Sequence, residues 1–265
     1  VKNILLRVIA VLFLLPLNNI VQAEKYNLAV QPVLPAKDIQ ASYLPLATYL
    51  SEETGHEFSI VAYREFLSYW VRMKKGKDMH FILDAAHFTD YRIKRKGYKT
   101  LVKLPGTVSF TVVTSEDNFI FEMEELISKK VATMPSPGLG AIRLNQMFPN
   151  PTRLPFFIQA SNSVDAVNKV LDGSVDAAII PTPLVSNYTS LNPVITTEPV
   201  PHMALSSSPD IPEAVSNAVT KALLEAPNTE KGRKMLSEMN IEKFQDASNE
   251  TYAGYADLLK DVFGY

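Results

Sequence analysis

Asp172-Gly-Ser-Val-Asp-Ala-Ala-Ile-Ile180 and, upstream of it, Met134-Pro-Ser-Pro-Gly-Leu-Gly-Ala141 decide how this chain folds. The first stretch reads as a helix end, a turn at Gly173 and a buried strand, since a turn-forming Asp-Gly precedes a run of small and branched apolar residues. The second reads as a strand end, a Pro-rich turn and a helix N-terminus, with Pro137 suited to the first helical turn. Units of this kind build one wall of a cleft in open α/β sheets, where the C-terminal ends of strands face the crevice.

On both sides of these stretches the same alternation continues. Upstream, strands are expected at 25–30, 57–62 and 80–83. Helices are expected at 43–55, 63–75 and 88–96, ended by Gly55, Gly76 and Gly97. A β-α-β-α-β-α order implies a mainly parallel sheet with helices on both faces. A second set follows: strands at 108–114, 130–133, 156–159 and 175–180, with helices at 122–128, 138–148 and 163–171. The tail reads as helices at 212–225, 231–239 and 252–263. Two α/β sets without a low-complexity linker predict two lobes, 24–107 plus 201–265 and 108–200. Strands near 108–112 and 195–204 would cross between them. A cleft between lobes is a common home for small molecules.

The first residues are expected to lie outside this fold. Lys2 and Arg7 accompany an apolar run, Val8-Ile-Ala-Val-Leu-Phe-Leu-Leu-Pro-Leu17, and Val21-Gln-Ala23 supplies small residues at a cleavage site. This is the pattern of an export signal over residues 1–23. An uncleaved membrane anchor is the competing reading, but the run is short for a bilayer. With no cysteine after it, a lipoprotein anchor is not expected.

Composition narrows the function classes. The chain has 265 residues, 46% hydrophobic and 20% charged, enough to bury a core without staples. Removing Lys2 and Arg7 leaves 24 basic residues against 28 acidic ones, a net charge of −4. Nucleic-acid binders carry a basic excess, so no nucleic-acid partner is expected. Zero cysteine excludes disulfides, thiolate nucleophiles and Cys-based metal sites together. Nucleophile-elbow, zinc-protease and phosphate-loop motifs are missing, and His56, His80, His87 and His202 follow no catalytic or metal spacing. A binding protein without metal or other cofactor is expected, rather than an enzyme.

Several separated blocks carry a resemblance. They are Tyr43-Leu-Pro-Leu-Ala-Thr-Tyr-Leu-Ser-Glu-Glu-Thr-Gly55, the aromatic-led segment from Tyr63, and Gly173-Ser-Val-Asp-Ala-Ala178. The tail adds Ala222-Leu-Leu224, Thr229-Glu-Lys-Gly232, Met235-Leu236 and Phe244-Gln-Asp-Ala-Ser-Asn-Glu-Thr-Tyr252. Over residues 26–262 the chain resembles the periplasmic phosphonate-binding protein family, the solute-binding subunits of phosphate, phosphite and phosphonate ABC importers. The resemblance implies a two-lobed type II periplasmic-binding-protein fold that closes by a hinge. It also implies a small, anionic ligand, a membrane permease as partner, a monomer and a periplasmic location. A ligand-binding sensor or accessory protein, acting with a membrane histidine kinase or a periplasmic oxidoreductase, is the alternative.

Site residues follow partly from the resemblance and partly from position. The family's hydroxyl-rich turn at a helix N-terminus, suited to an oxyanion through free N–H groups and the helix dipole, corresponds here to Pro135-Ser-Pro-Gly-Leu-Gly140. Ser136 and Gly138 are its candidate contacts, although Ser136 could equally be an ordinary N-cap. Tyr63 matches a family ring at the cleft mouth. Phe88 stands where a hydroxyl-bearing aromatic is common, Ser163 where a His often sits, and Thr182 where acids or amides hold an amine. Ser109 is a further candidate for the cleft lining. His87 is a candidate from topology, because it follows the end of a buried strand. The run Arg92-Ile-Lys-Arg-Lys96 reads as a solvated helix face.

Overall fold

The structure, a computed structural model, describes residues 23–76, 79–260 and 262; the expected signal segment lies outside the described residues except for Ala23. No helix among the described residues is long and apolar enough to cross a membrane.

The chain begins with β1 (Lys25–Val30), α1 (Ala36–Thr54), β2 (Glu57–Ala62), α2 (Phe66–Lys75), β3 (Phe81–Asp84) and α3 (Ala86–Lys96), and then β4 (Lys99–Lys103). Short β5 (Thr107–Val108) leads into β6 (Phe110–Ser115), β7 (Lys130–Thr133), α4 (Leu139–Met147), β8 (Phe156–Gln159), α5 (Ser163–Leu171), β9 (Ala177–Pro181), α6 (Thr182–Val185) and β10 (Leu191–Thr196). After β11 (Val200–Pro201) come β12 (Ala204–Ser207), α7 (Glu213–Glu225), α8 (Glu230–Glu238) and β13 (Gln245–Asp246).

Two sheets organise these elements. One runs β13-β4-β12-β3-β1-β2, the other β10-β6-β9-β7-β8. Each contains a parallel triplet built by βαβ units, β2-β1-β3 in the first and β8-β7-β9 in the second. Beside each triplet lies an antiparallel strand that has just crossed from the other lobe: β12 against β3, and β6 against β9. Both sheets are therefore mixed, with the parallel part confined to the βαβ-connected strands. The crossing itself is made by β5 and β11, an antiparallel pair forming its own two-stranded sheet.

Local chemistry explains most boundaries. Gly55 ends α1 in the left-handed region at φ 72°, where its N–H caps the Ser51 carbonyl. The second helix starts at Phe66, not Tyr63, so Tyr63 belongs to the loop before it. Where a helix is expected over 252–263, the described residues form 3₁₀ turns at Asn249–Tyr252 and Tyr255–Leu259. Gly254 at φ 94° separates them and breaks the helical run.

Gly232 carries the close contact between α8 and the end of α7. A Cβ there would lie 2.2 Å from the Ala226 carbonyl oxygen and 2.5 Å from its Cα. The same glycine N–H is capped by the Thr229 hydroxyl at 3.0 Å. Gly232→Ala is expected to cost about 1–3 kcal/mol through overpacking against rigid backbone. Thermal unfolding of the variant measures it, and an unchanged melting temperature would contradict the close-packing account.

The first-lobe core gathers Leu28, Leu46, Leu50, Phe81, Leu83, Leu205 and Val219. A second cluster joins the lobes: Met134 and Ile142 from the β7–α4 side pack with Phe88, Tyr91, Ala256 and Leu259. The lobes thus meet along an apolar contact on one side and leave a cavity on the other.

Candidate ligand-binding cleft

The cavity has a volume of about 350 Å³ and takes its walls from both lobes. The loops after β1 and β3, with α1 and the β11–β12 turn, bring Gln31, Val33, Tyr43, Ala85 and His202. From the other side β5, β6, α4, α5, the end of β9 and the loop after α6 bring Val108, Phe110, Leu139, Ser163, Pro181 and Asn187. It therefore lies at the C-terminal ends of β1, β3 and β9, where open α/β sheets hold ligands. The lining is mostly apolar, with a few polar groups among it.

Those polar groups are held in defined orientations. The Gln31 side-chain oxygen accepts from the Ala85 N–H at 3.0 Å, which fixes its amide NH₂ as the remaining donor. His202 Nδ1 accepts from the Met203 N–H at 2.7 Å, so in the neutral ring Nε2 carries the proton. Burial, with help from Lys103, lowers the His202 pKa to about 4. His202 is therefore an uncharged donor at neutral pH. The Ser163 backbone N–H donates to the Val33 carbonyl at 3.2 Å, a direct bond from one lobe to the other.

The structure distributes the residues singled out from sequence unevenly. Ser163 lines the cavity. Ser109 and Thr182 meet each other, hydroxyl to hydroxyl at 2.8 Å, and Thr182 also touches the Thr111 hydroxyl at 2.9 Å. Thr182 sits between two cavity-lining prolines, Pro181 and Pro183. Ser136 is exposed and borders a different groove, beside Asn145, Gln146 and Asp257. Gly138 is buried with its N–H committed to the Pro135 carbonyl at 2.9 Å, so Leu139 is the residue of that turn that reaches the cavity.

Three other candidates do not line the cavity. Phe88 is fully buried among Phe66, Tyr69 and Trp70, a core position. His87 is also fully buried, and its Nε2 bonds the Pro137 carbonyl at 2.9 Å. Its position after a strand end pointed to the crevice, but the apolar inter-lobe contact covers it. Burial pushes its pKa down to about 4, against a smaller opposing effect of the Pro137 carbonyl. Tyr63 is half-buried, edge-on to Tyr69 with ring centres 5.6 Å apart.

Gln31, Tyr43, Asn187 and His202 escaped the sequence reading. They come from four separate segments at no telling spacing. Only Gln31 carried a usable signal, the same strand-end position that selected His87.

Two mixed sheets joined by one crossing strand pair, with a cavity between them at the strand ends, define a two-lobed binding protein of the periplasmic type. The family of ABC transporter phosphonate periplasmic substrate-binding proteins matches residues 28–252, and the chain belongs to that family. Its members are solute-binding subunits of importers. No curated protein matches the chain by sequence.

Solved structures share the fold at low identity. PhnD1 from Prochlorococcus marinus, in complex with methylphosphonate, superposes with a TM-score of 0.78 at 10% identity, over 89% of this chain and 97% of that one. A binding protein component of an ABC phosphonate transporter from Pseudomonas aeruginosa (PA3383) gives 0.75 at 12% identity, over 89% and 85%. XAC2383 from Xanthomonas citri, bound to ATP, gives 0.68 at 12%, over 90% and 99%.

Proposed function

We propose that this protein captures a small solute in the cavity between its lobes and presents it to a membrane permease. Residues 1–23 serve as its export signal in this reading. Residues 24–107 with 201–265 form one lobe, and 108–200 the other. The observation that carries the reading is the shared lining: Gln31, Ala85 and His202 face Phe110, Leu139 and Ser163 across one space. A ligand contacting both walls favours their approach, because it gains contacts in the closed arrangement that it lacks in the open one.

A thermal-shift screen of the purified protein tests this. The panel holds phosphate, phosphite, alkylphosphonates, carboxylates, amides and small amines. A ligand at a hundred times its dissociation constant adds about 2.7 kcal/mol, a rise of a few degrees for a chain this long. Val108→Trp places a large ring on the cavity wall and is expected to abolish the shift while the protein stays folded. A shift that survives in Val108→Trp would move the binding site elsewhere.

A further inference from the structure

Resting on that reading, we propose that the solute is an uncharged molecule with an apolar body and a carbonyl-type hydrogen-bond acceptor, rather than a phosphonate or another oxyanion. The first observation is what the wall lacks: among the described residues, no Lys or Arg side chain lines the cavity. Lys103, the cation that acts on His202, is occupied elsewhere. Its ammonium donates to the carbonyls of Leu104 and Gly106 at 3.3 and 3.1 Å and to the Gln245 side chain. An anion entering this space would lose its hydration without gaining a countercharge, a costly transfer.

Several of the groups that could replace a countercharge are engaged with one another. Ser109, Thr111, Thr182 and Thr196 satisfy one another in a chain of hydroxyl contacts of 2.8 to 3.0 Å. At the start of α4, Pro137 has no N–H and Gly138 has given its own to Pro135. Of that helix end, Leu139 is the residue that lines the cavity. Asn162 caps α5 by accepting from the Asp165 N–H at 3.0 Å, and the Ser163 N–H is spent on Val33.

The donors on the wall are neutral: the Gln31 amide and His202 Nε2, together with the Tyr43 and Ser163 hydroxyls and the Asn187 amide. Their hydrogen atoms suit a neutral acceptor such as an amide, ester or lactone carbonyl. Val33, Leu34, Leu104, Phe110, Leu139 and Met203 supply an apolar bed for the rest of the molecule. A few fixed polar groups in an apolar wall set orientation and selectivity.

The test uses one carbon skeleton with three head groups: phenylacetamide, phenylacetate and benzylphosphonate, titrated calorimetrically at pH 7.5 into the full protein and into Val108→Trp. Phenylacetamide is expected to bind at least tenfold more tightly than either acid, with the binding lost in Val108→Trp. His202→Phe, which keeps a ring but removes the donor, is expected to weaken phenylacetamide about tenfold, a difference of about 1.4 kcal/mol. Tighter binding of benzylphosphonate or phenylacetate, still abolished by Val108→Trp, overturns the uncharged class and leaves cavity capture standing. Binding of phenylacetamide that survives Val108→Trp overturns both. Silence of all three at millimolar concentration overturns the class alone, since the wider solute screen reads capture independently.

Discussion

Asp84→Ala is expected to destabilise the protein by about 3–5 kcal/mol, because it leaves a buried guanidinium without its counterion. Asp84 and Arg92 are both completely buried. Both Arg92 amino groups bond the carboxylate, Nη2 at 2.7 Å, and Nη2 also reaches the Ser206 hydroxyl at 2.8 Å. Tyr69 donates to the same carboxylate and Thr89 adds a bond at 3.2 Å, while the Tyr98 ring lies 5.3 Å from the guanidinium carbon. Burial alone would lower the Arg92 pKa, and Asp84, aided by Tyr69 and Tyr98, more than reverses it. The cluster ties β3 to α2, α3 and β12, the strand that has just returned from the second lobe. Denaturant unfolding reads the loss, and a change below about 1 kcal/mol would contradict a buried, desolvated pair. The double variant Asp84→Leu/Arg92→Met should recover most of the stability, since removing both charges removes the desolvation cost as well.

Stability should also fall by about 3 kcal/mol between pH 6.5 and pH 4 on account of His87, since each tenfold loss of proton affinity on folding is worth about 1.4 kcal/mol. The sign follows from the two states. Above pH 6.5 the ring is neutral whether the chain is folded or not, and it has no effect on the balance. Below that pH the unfolded chain takes up a proton, while the folded ring, fully buried with a pKa of about 4, refuses it. Stability is therefore complete at neutral pH and lost as pH falls through this window. His202 is lowered similarly and adds to the same window, so the comparison with His87→Gln isolates the His87 share. That variant keeps a donor for the Pro137 carbonyl and is expected to show a visibly shallower decline in unfolding free energy. Parallel curves for the two proteins would rule out the buried neutral imidazole as the cause.

How legible this molecule is in its sequence depends on the range of the interactions involved. The βαβ order, the helix stops at Gly55, Gly76 and Gly97, and the Asp172–Ile180 turn and strand are local patterns, and they lie close to their expected positions. Lys99-Thr-Leu-Val-Lys103 gives no such local sign of a strand. It is short and ends in lysines, and its strand character comes from pairing with β12 and β13, more than a hundred residues away. The antiparallel placement of β6 and β12 is equally non-local. Arg92 shows the same limit more sharply. Its neighbours Lys94, Arg95 and Lys96 reach toward solvent, as a charged helix face predicts, yet Arg92 itself points inward to Asp84. Nothing in a run of basic residues says which one meets a buried carboxylate. At the cleft, strand ends are a sound guide to Gln31 but misplace His87, because only packing reveals which part of a crevice the lobes fill.

The β5–β11 pair has a consequence for how such proteins diversify. The chain leaves the first sheet through Thr107–Val108 and returns to it through Val200–Pro201, side by side in one ladder with Val108 opposite Val200. Both ends of the segment that carries the second sheet therefore share a single seam, held by backbone bonds that need no particular side chains. A gene segment spanning residues 109–199 forms a cassette with two adjoining junctions. Recombining it with its counterpart from a distant relative would replace the wall of Phe110, Leu139 and Ser163 in one event. The facing wall of Gln31 and His202 would be inherited unchanged.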